Sequence, residues 1–195
     1  MHVDVFAIRH GETAWSRAGR HTGRTDIPLT EAGRAAAIAL GTVLARSDIA
    51  RVLSSPLQRA RETCTYAGLG NRVELDADLV EWDYGDFEGL TPAEIDERAP
   101  GWLIFADGCP GGEQPADVEV RVDRAIAKLR GMSGCVAVFG HGHLLRALAA
   151  RWIGLPLVGG SHFLLNTSTL SLLGYYRDTP AIKRWNVSVE GERHD

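Results

Sequence analysis

Two histidines stand directly after short apolar runs of the sequence, where polar side chains can gather at one site. His10 follows the run at residues 3–8 and stands beside Arg9, and His141 follows a second run at residues 136–140. An imidazole can act as a covalent nucleophile, and a planar guanidinium suits bidentate contact with a phosphate. Phosphoryl transfer needs mainly positioning and charge stabilisation. These residue types therefore predict phosphoryl chemistry in which one imidazole attacks phosphorus.

A second cation is expected from the helix that follows residues 51–54. Arg59 lies one turn into that helix, and its guanidinium can reach back over the end of the strand. Arg61 points in another direction, because residues i and i+2 do not share a helix face. We therefore expect Arg59 to join the site and Arg61 to be solvated.

A carboxyl group for proton transfer is expected from the segment at residues 81–88. The segment contains four acids, Glu81, Asp83, Asp86 and Glu88, interleaved with aromatic residues. Aromatic neighbours lower the local dielectric and can raise the pKa of a carboxyl group, which suits a general acid. The pattern by itself does not select one of the four acids.

His141 and His143 form an HxH pair, which is a pattern that can bind a metal ion. No acidic or cysteine ligands cluster beside it in the sequence, and the HExxH pattern is absent. We therefore expect no metal and no cofactor. A helix predicted to begin at Leu144 can instead direct its free N–H groups towards an anion.

Alternating strands and helices must position these residues. Strands are predicted at residues 3–8, 51–54, 72–80, 135–139, 170–173 and 182–185. Helices are predicted at residues 30–46 with Thr30 as N-cap, 57–67 with Pro56 at the first helical position, 92–98, 116–130 and 144–153. This alternation implies an α/β fold with a largely parallel sheet. In such sheets ligands bind at the carboxyl ends of the strands.

The length and charge of the chain bound its domain count and its partners. Its 195 residues fit one domain, 1–195, with an insertion at about residues 81–115 that is long enough to be functional. The net charge of -4 argues against general affinity for nucleic acid.

Composition also indicates a cellular compartment. The apolar runs are much shorter than the ~20 residues of a membrane span, and Asp4, Arg9 and His10 interrupt the first run, so no signal peptide is visible. The three cysteines form no CxxC pair and are expected to be reduced thiols. The sequence thus predicts a cytoplasmic protein without a membrane partner.

The ordered motifs resemble those of the histidine phosphatase superfamily, in its phosphoglycerate-mutase-like branch. The matching elements are Arg9-His10-Gly11-Glu12-Thr13, Thr22-Gly23, Ser54-Ser55-Pro56 through Arg59-Ala60, Glu81-Trp82-Asp83-Tyr84-Gly85 and His141-Gly142. The resemblance spans nearly the whole chain and implies a three-layer α/β/α sandwich with a mostly parallel sheet.

Roles for single residues follow from this resemblance. It implies that His10 is the phosphorylated nucleophile, that Arg9, Arg59 and His141 form the phosphate pocket, and that Glu81 is the proton donor. It further implies substrate contacts from Ser16, Thr22, Gly23, Tyr84 and Gly142.

Departures from the mutase pattern favour hydrolysis. The mutases place a basic pair and a lysine after the acid-donor segment to hold the carboxylate of phosphoglycerate, whereas residues 91–98 here contain neither. Residues 81–89 and 107–113, together with Arg146, resemble instead the subgroup of sedoheptulose- and fructose-bisphosphatases and bacterial broad-range acid phosphatases.

The expected function is therefore a metal-independent phosphatase that acts on small phosphomonoesters, in particular sugar phosphates. One alternative is a cofactor-dependent phosphoglycerate mutase, and another is a catalytically silent protein that binds a phosphorylated ligand. The silent alternative is disfavoured because every catalytic position holds a competent residue. The expected partner is a small phosphorylated metabolite, and a homodimer is common for such folds.

Overall fold

The computed structural model describes residues 2–189 of the chain. Its strands are β1 (Val3–Arg9), β2 (Ile49–Ser54), β3 (Val73–Leu75), β4 (Gly134–Gly140), β5 (Thr169–Tyr176) and β6 (Thr179–Ser188). Its α-helices are α1 (Ala14–Arg17), α2 (Glu31–Leu44), α3 (Gln58–Tyr66), α4 (Pro92–Arg98), α5 (Ile104–Asp107), α6 (Pro115–Arg130) and α7 (Gly142–Trp152).

The strands form one mixed sheet in the order β3-β2-β4-β1-β5-β6. Parallel pairing joins β3 to β2, β2 to β4 and β4 to β1, while β5 and β6 add an antiparallel edge. The α/β fold with a mostly parallel sheet is therefore confirmed. The parallel part brings the carboxyl ends of β1, β2 and β4 side by side, which is the expected place for a ligand site.

Helices cover both faces of this sheet. Successive residues of a strand point to opposite faces, so neighbouring residues of one strand pack against different helices. Val136 and Val138 pack into the core that contains α6 and α7. Ala137 and Phe139, on the other face, pack into the core that contains α2 and α3. All four side chains are fully buried, as expected for a central parallel strand. The three-layer α/β/α arrangement is thus confirmed.

Local signals account for the bounds of α2. The Thr30 side chain accepts a hydrogen bond from the Gly33 N–H and so caps the helix. Gly33, Ala37, Leu40 and Leu44 are buried at helical spacing and form the inward face. The prediction of a capped, alanine-rich helix in this region is confirmed.

Two local predictions were wrong. Pro56 does not occupy the first position of α3, which begins at Gln58, because the Ser55 hydroxyl accepts the Leu57 N–H and folds residues 55–57 into a bend. Residues 72–80 are extended only over β3, because the Asp76 side chain caps a 3₁₀ turn at Ala77–Leu79.

The insertion at residues 81–115 packs into the domain core. It contains the predicted helix at Pro92–Arg98, and also a 3₁₀ turn at Gly85–Phe87 and the short helix α5, which were not predicted. Its buried side chains Trp82, Ile95 and Phe105 belong to the same core as α6 and α7. That residues 1–195 form a single domain stays a prediction. No helix within residues 2–189 is long and apolar enough to cross a membrane.

Candidate active site

The backbone that carries His10 is fixed from several elements. Arg9 is the register partner of Gly140 in the parallel pair β1–β4, so the next residues, His10 and His141, stand side by side. The His10 N–H donates to the Gly140 carbonyl at 3.0 Å. The N–H of Gly11 donates to the Thr63 hydroxyl at 2.9 Å. The sheet edge and α3 therefore hold the first histidine in place.

Hydrogen bonding identifies which nitrogen of His10 is free to react. Nδ1 lies 2.8 Å from the Gly11 carbonyl oxygen, and a carbonyl only accepts, so Nδ1 carries the proton and Nε2 the lone pair. Burial lowers the pKa of His10 well below its ordinary value, and the charges of Arg59 and Arg9 lower it further. The imidazole is therefore neutral at neutral pH, which is the form that can attack phosphorus.

His141 lies against His10, with 5.3 Å between the ring centroids. Its Nε2 is 2.8 Å from the Ser55 hydroxyl. That hydroxyl also accepts from the Leu57 N–H, and within residues 2–189 Nε2 is the only acceptor for its own proton. Ser55 therefore donates to Nε2, and Nδ1 of His141 carries the ring proton. Burial lowers the pKa of His141 well below its ordinary value, and the Arg59 charge adds to this effect.

Two arginines complete this cluster, of which Arg59 is buried and Arg9 half-buried. Arg59 is 0% exposed and donates to the carbonyl oxygens of Thr22, Gly23 and Thr25 at 2.9–3.1 Å. Arg9 donates to the carbonyl oxygen of Leu165. Burial lowers the pKa of both guanidinium groups. Carbonyl oxygens orient these cations without neutralising their charge, which stays available for an anion.

Three buried nitrogens of these side chains have no hydrogen-bond partner. They are Arg9 Nε, Arg59 Nε and His141 Nδ1, and within residues 2–189 no other buried side-chain nitrogen or oxygen is unpaired. Buried polar groups are almost always satisfied, so three unmet donors around one imidazole indicate the place of an anion. All three belong to the residues predicted to form the phosphate pocket.

Glu81 reaches this cluster from the insertion and is 4% exposed. Its carboxylate accepts from the N–H groups of Leu144 at 2.9 Å, His143 at 3.1 Å and Trp82 at 3.0 Å. Two of these donors belong to the first turn of α7, where a carboxylate is favoured by the helix dipole. The prediction that these N–H groups face a bound anion is therefore corrected, since the Glu81 side chain occupies them.

A cleft of about 180 Å³ opens onto these groups. It is lined by Arg9, His10, Ser16, Gly19, Arg20, His21, Thr22, Glu81, Tyr84, Gly142, His143, Arg146 and Leu165. Arg59 and His141 are fully buried and do not themselves line it.

The cleft contains Ser16, Thr22, Tyr84 and Gly142 of the five predicted substrate contacts, but not Gly23. The Gly23 N–H donates to the Glu88 carboxylate at 2.9 Å and its carbonyl accepts from Arg59. A Cβ at this position would lie 2.5 Å from the Trp82 carbonyl oxygen. Gly23 therefore serves close backbone packing behind the cleft wall.

Several lining residues were not singled out as substrate contacts by sequence reasoning. His143 was considered as a metal ligand and as part of the subgroup resemblance, and its Nδ1 lies 2.6 Å from the Tyr84 hydroxyl. The His21 ring stacks parallel to the His143 ring with 5.9 Å between centroids. Burial lowers the pKa of both imidazoles. Within residues 2–189 no group of three or more histidine, cysteine or acidic side chains is placed to hold a metal ion.

The Thr63 hydroxyl is a supporting group that spacing could have revealed. It donates to the Arg59 carbonyl at 2.7 Å and accepts from the Gly11 N–H. Thr63 follows Arg59 by four residues, and such residues share one helix face. Arg61 is exposed, as the same reasoning predicted.

Comparisons with known proteins agree with this geometry. The family model described as "Histidine phosphatase superfamily (branch 1)" matches residues 5–188. An acid phosphatase of Mycobacterium tuberculosis is 44% identical over 175 residues, covering 88% of this chain and 86% of the relative. Sedoheptulose 1,7-bisphosphatase of Saccharomyces cerevisiae is 36% identical over 181 residues, covering 76% of this chain and 66% of the relative.

A solved structure of an open reading frame product from Mycobacterium tuberculosis superimposes with a TM-score of 0.90. It is 38% identical, and the match covers 96% of this chain and 98% of that chain. The fold, the paired histidines and these matches lead to one conclusion. The chain belongs to the histidine phosphatase superfamily, branch 1, and is a phosphomonoesterase of that family.

Proposed function

We propose that this protein hydrolyses small phosphorylated metabolites, with sugar phosphates as its preferred class, through a phosphohistidine at His10 and without a metal ion. The observation that carries the proposal is the pairing of a buried neutral imidazole with three unmet donors. Nε2 of His10 holds the lone pair, and the unpaired nitrogens Arg9 Nε, Arg59 Nε and His141 Nδ1 belong to the two cations whose charges act on His10 and to the imidazole packed against it.

The first step transfers the phosphoryl group to the protein. The His10 Nε2 lone pair forms a bond to phosphorus as the bond from phosphorus to the ester oxygen breaks. The two arginines and His141 stabilise the charge on the phosphoryl oxygens. Glu81, in its protonated form, gives its proton to the departing alkoxide, so the alcohol leaves neutral.

The second step returns His10 to its starting state. Glu81, now a carboxylate, removes a proton from a water molecule as the water oxygen bonds to phosphorus. The bond between phosphorus and Nε2 breaks, and its electron pair returns to the imidazole. The sum is one ester and one water converted to one alcohol and one phosphate.

The residues around α4 support hydrolysis rather than mutase turnover. Thr91 caps α4, and the Glu94 carboxylate accepts from the Thr91 N–H and lies 3.3 Å from the Arg20 guanidinium. Arg20 also donates to the Gly89 carbonyl at 2.6 Å. Arg20 is thus already paired with the carboxylate of Glu94. Residues 91–98 bring no basic pair to hold a substrate carboxylate.

The outer cleft supports the choice of sugar phosphates. Its polar lining residues His21, Tyr84, His143 and Arg146 offer nitrogen and hydroxyl groups to the hydroxyls of a substrate. One relative is named as a bisphosphatase of a sugar. A polar outer cleft and a sugar-directed relative agree on the same substrate class.

Phosphate release from a panel of metabolites in EDTA tests the proposal, with wild type beside His10→Ala. The panel includes sedoheptulose and fructose bisphosphates, 3-phosphoglycerate and nitrophenyl phosphate. We expect His10-dependent release in EDTA, highest with a sugar phosphate. Undiminished release by His10→Ala, or loss of release in EDTA, would contradict the mechanism.

Two further outcomes would replace the proposal. Isomerisation of 3-phosphoglycerate after priming with bisphosphoglycerate would identify a mutase. Binding of every panel compound without release would identify a silent binding protein. The homodimer and the cytoplasmic location remain predictions, which light scattering and cell fractionation test.

A further inference from the structure

The segment at residues 107–113 stood out in the sequence, but none of its residues lines the catalytic cleft. Its Gly112 instead lies against the acid-donor segment, where an added Cβ would collide with the Asp83 carbonyl oxygen and lie 2.7 Å from the Gly85 nitrogen. Only a glycine allows the two backbones to come this close. The contact brings the residue after Gly112, Glu113, next to the residues that follow Glu81.

Glu113 forms hydrogen bonds with the two residues that follow Glu81. Its N–H donates to the Asp83 carbonyl at 3.0 Å, and its carboxylate accepts from the Asp83 N–H at 2.9 Å. Its carbonyl oxygen accepts from the Trp82 indole N–H at 2.9 Å. Three hydrogen bonds from one residue thus fix the two residues that follow the proton donor.

Arg121, on α6, forms hydrogen bonds with residues just before Glu81. It is 7% exposed and donates to the carbonyl oxygens of Val80 at 2.8 Å and Asp78 at 3.0 Å. Its remaining donors form a bidentate pair with Glu113 at 2.9 and 2.8 Å. The same guanidinium therefore joins both sides of the acid-donor segment.

We propose that Glu113 and Arg121 are positioning residues that set the Glu81 carboxyl at the distance and angle needed for proton transfer. The proposal rests on the role of Glu81 proposed above. Glu81 itself is held through its carboxylate by N–H groups of α7. The Glu113–Arg121 pair holds the backbone on both sides of Glu81. When Glu81 is protonated, its carboxyl loses the negative charge to which those N–H groups donate, and the backbone contacts then keep the carboxyl in the cleft.

The test uses the dependence of turnover on the leaving group, which a purely structural defect would not change. Arg121→Lys keeps the charge but cannot span Glu113 and two carbonyls at once. The kcat/KM for a sugar phosphate should fall about tenfold to a hundredfold, since a misplacement of about 1 Å can cost that much. The kcat/KM for nitrophenyl phosphate should change little, because kcat/KM reports the transfer of the phosphoryl group to His10 and not the later attack of water, and this leaving group needs no proton.

A second variant and a matched control keep the test sharp. Glu113→Asp retains the charge and shortens the reach by one methylene, and it should show the same leaving-group pattern. Arg124→Lys is the control, since Arg124 lies one turn along α6 and forms an exposed pair with Asp78 at 2.6 Å. It should leave both kcat/KM values unchanged.

The Glu81→Gln background separates the two proposals. If Glu81→Gln alone lowers the ratio of kcat/KM for the sugar phosphate to kcat/KM for nitrophenyl phosphate, adding Arg121→Lys should lower that ratio no further. An equal fall of both kcat/KM values in Arg121→Lys, or a further fall of the ratio in the Glu81→Gln background, would overturn the positioning role. An unchanged ratio in Glu81→Gln alone would refute the proton-donor role itself.

Discussion

The close packing of α2 against the turn after His10 makes Gly33→Ala a sharp test of the site geometry. A Cβ at Gly33 would lie 2.7 Å from the Glu12 nitrogen and closer still to the Glu12 carbonyl oxygen. A Cβ at Gly11 would in turn lie 2.6 Å from the Gly33 carbonyl oxygen. A hydrogen bond also joins the turn to the start of this helix, since the Thr30 N–H donates to the Glu12 carbonyl oxygen at 2.9 Å.

The expected magnitude follows from these distances. Ordinary van der Waals contact begins at 3.4 Å, so α2 and the turn must separate by about 1 Å, a displacement that can cost about 10²-fold in catalysis. Such overpacking costs about 1–3 kcal/mol of stability. In an unhindered helix the same change would instead stabilise the protein by about 0.5–1 kcal/mol.

Phosphate release and thermal unfolding, measured on the same preparation, test this prediction. Gly33→Ala should lose about 10²-fold in kcat/KM while the protein remains folded. The matched control is Gly41→Ala on the same helix, where the new Cβ would lie 2.9 Å from the Ala67 carbonyl oxygen, away from the cleft. It should lower stability without lowering turnover. Wild-type turnover and stability in Gly33→Ala would refute the reasoning.

Two further predictions concern a hydroxyl and the buried imidazoles. Thr63→Val leaves the Gly11 N–H unpaired and should lower the free energy of unfolding in urea by about 1–3 kcal/mol. The control Thr65→Val, on the exposed face of α3, should lower it much less. Equal losses of stability in the two variants would contradict this prediction. Burial lowers the folded-state pKa values of His10, His141 and His143, so below about pH 6.5 the unfolded chain binds protons that the folded chain does not. Stability should therefore fall on acidification, by about 1.4 kcal/mol per pH unit for each histidine until its folded pKa is reached, and urea unfolding that is flat between about pH 6.5 and about pH 5 would refute it.

Much of the fold follows from short-range patterns in the sequence. The continuous apolar runs of β1 and β4 mark central strands, and the cap and spacing of α2 mark a helix, because each signal lies within one element. Pro56 and residues 72–80 were assigned incorrectly because side chains of Ser55 and Asp76 bond the local backbone and redirect it. Propensity alone does not report such bonds.

The sequence by itself also determined which residue types meet at the sheet edge. His10 and His141 end strands that proved to be parallel neighbours, and helical spacing separated Arg59 from Arg61. These inferences depended only on the period of each element and on the rule that parallel strands end at one edge. The outcome was a set of side chains that the structure brings together, without their arrangement.

Only the tertiary structure decided how these side chains are held and which atoms are free. The Ser55 hydroxyl bonds Nε2 of His141, so Nδ1 is the nitrogen that stays unpaired. N–H groups in the first turn of α7 donate to the Glu81 carboxylate. Arg121 bonds residues on both sides of Glu81. Each of these contacts except that of Arg121 with Glu113 links residues about 40 to 90 positions apart in the sequence. No local period encodes such pairs, because they form only when packing closes the chain between them.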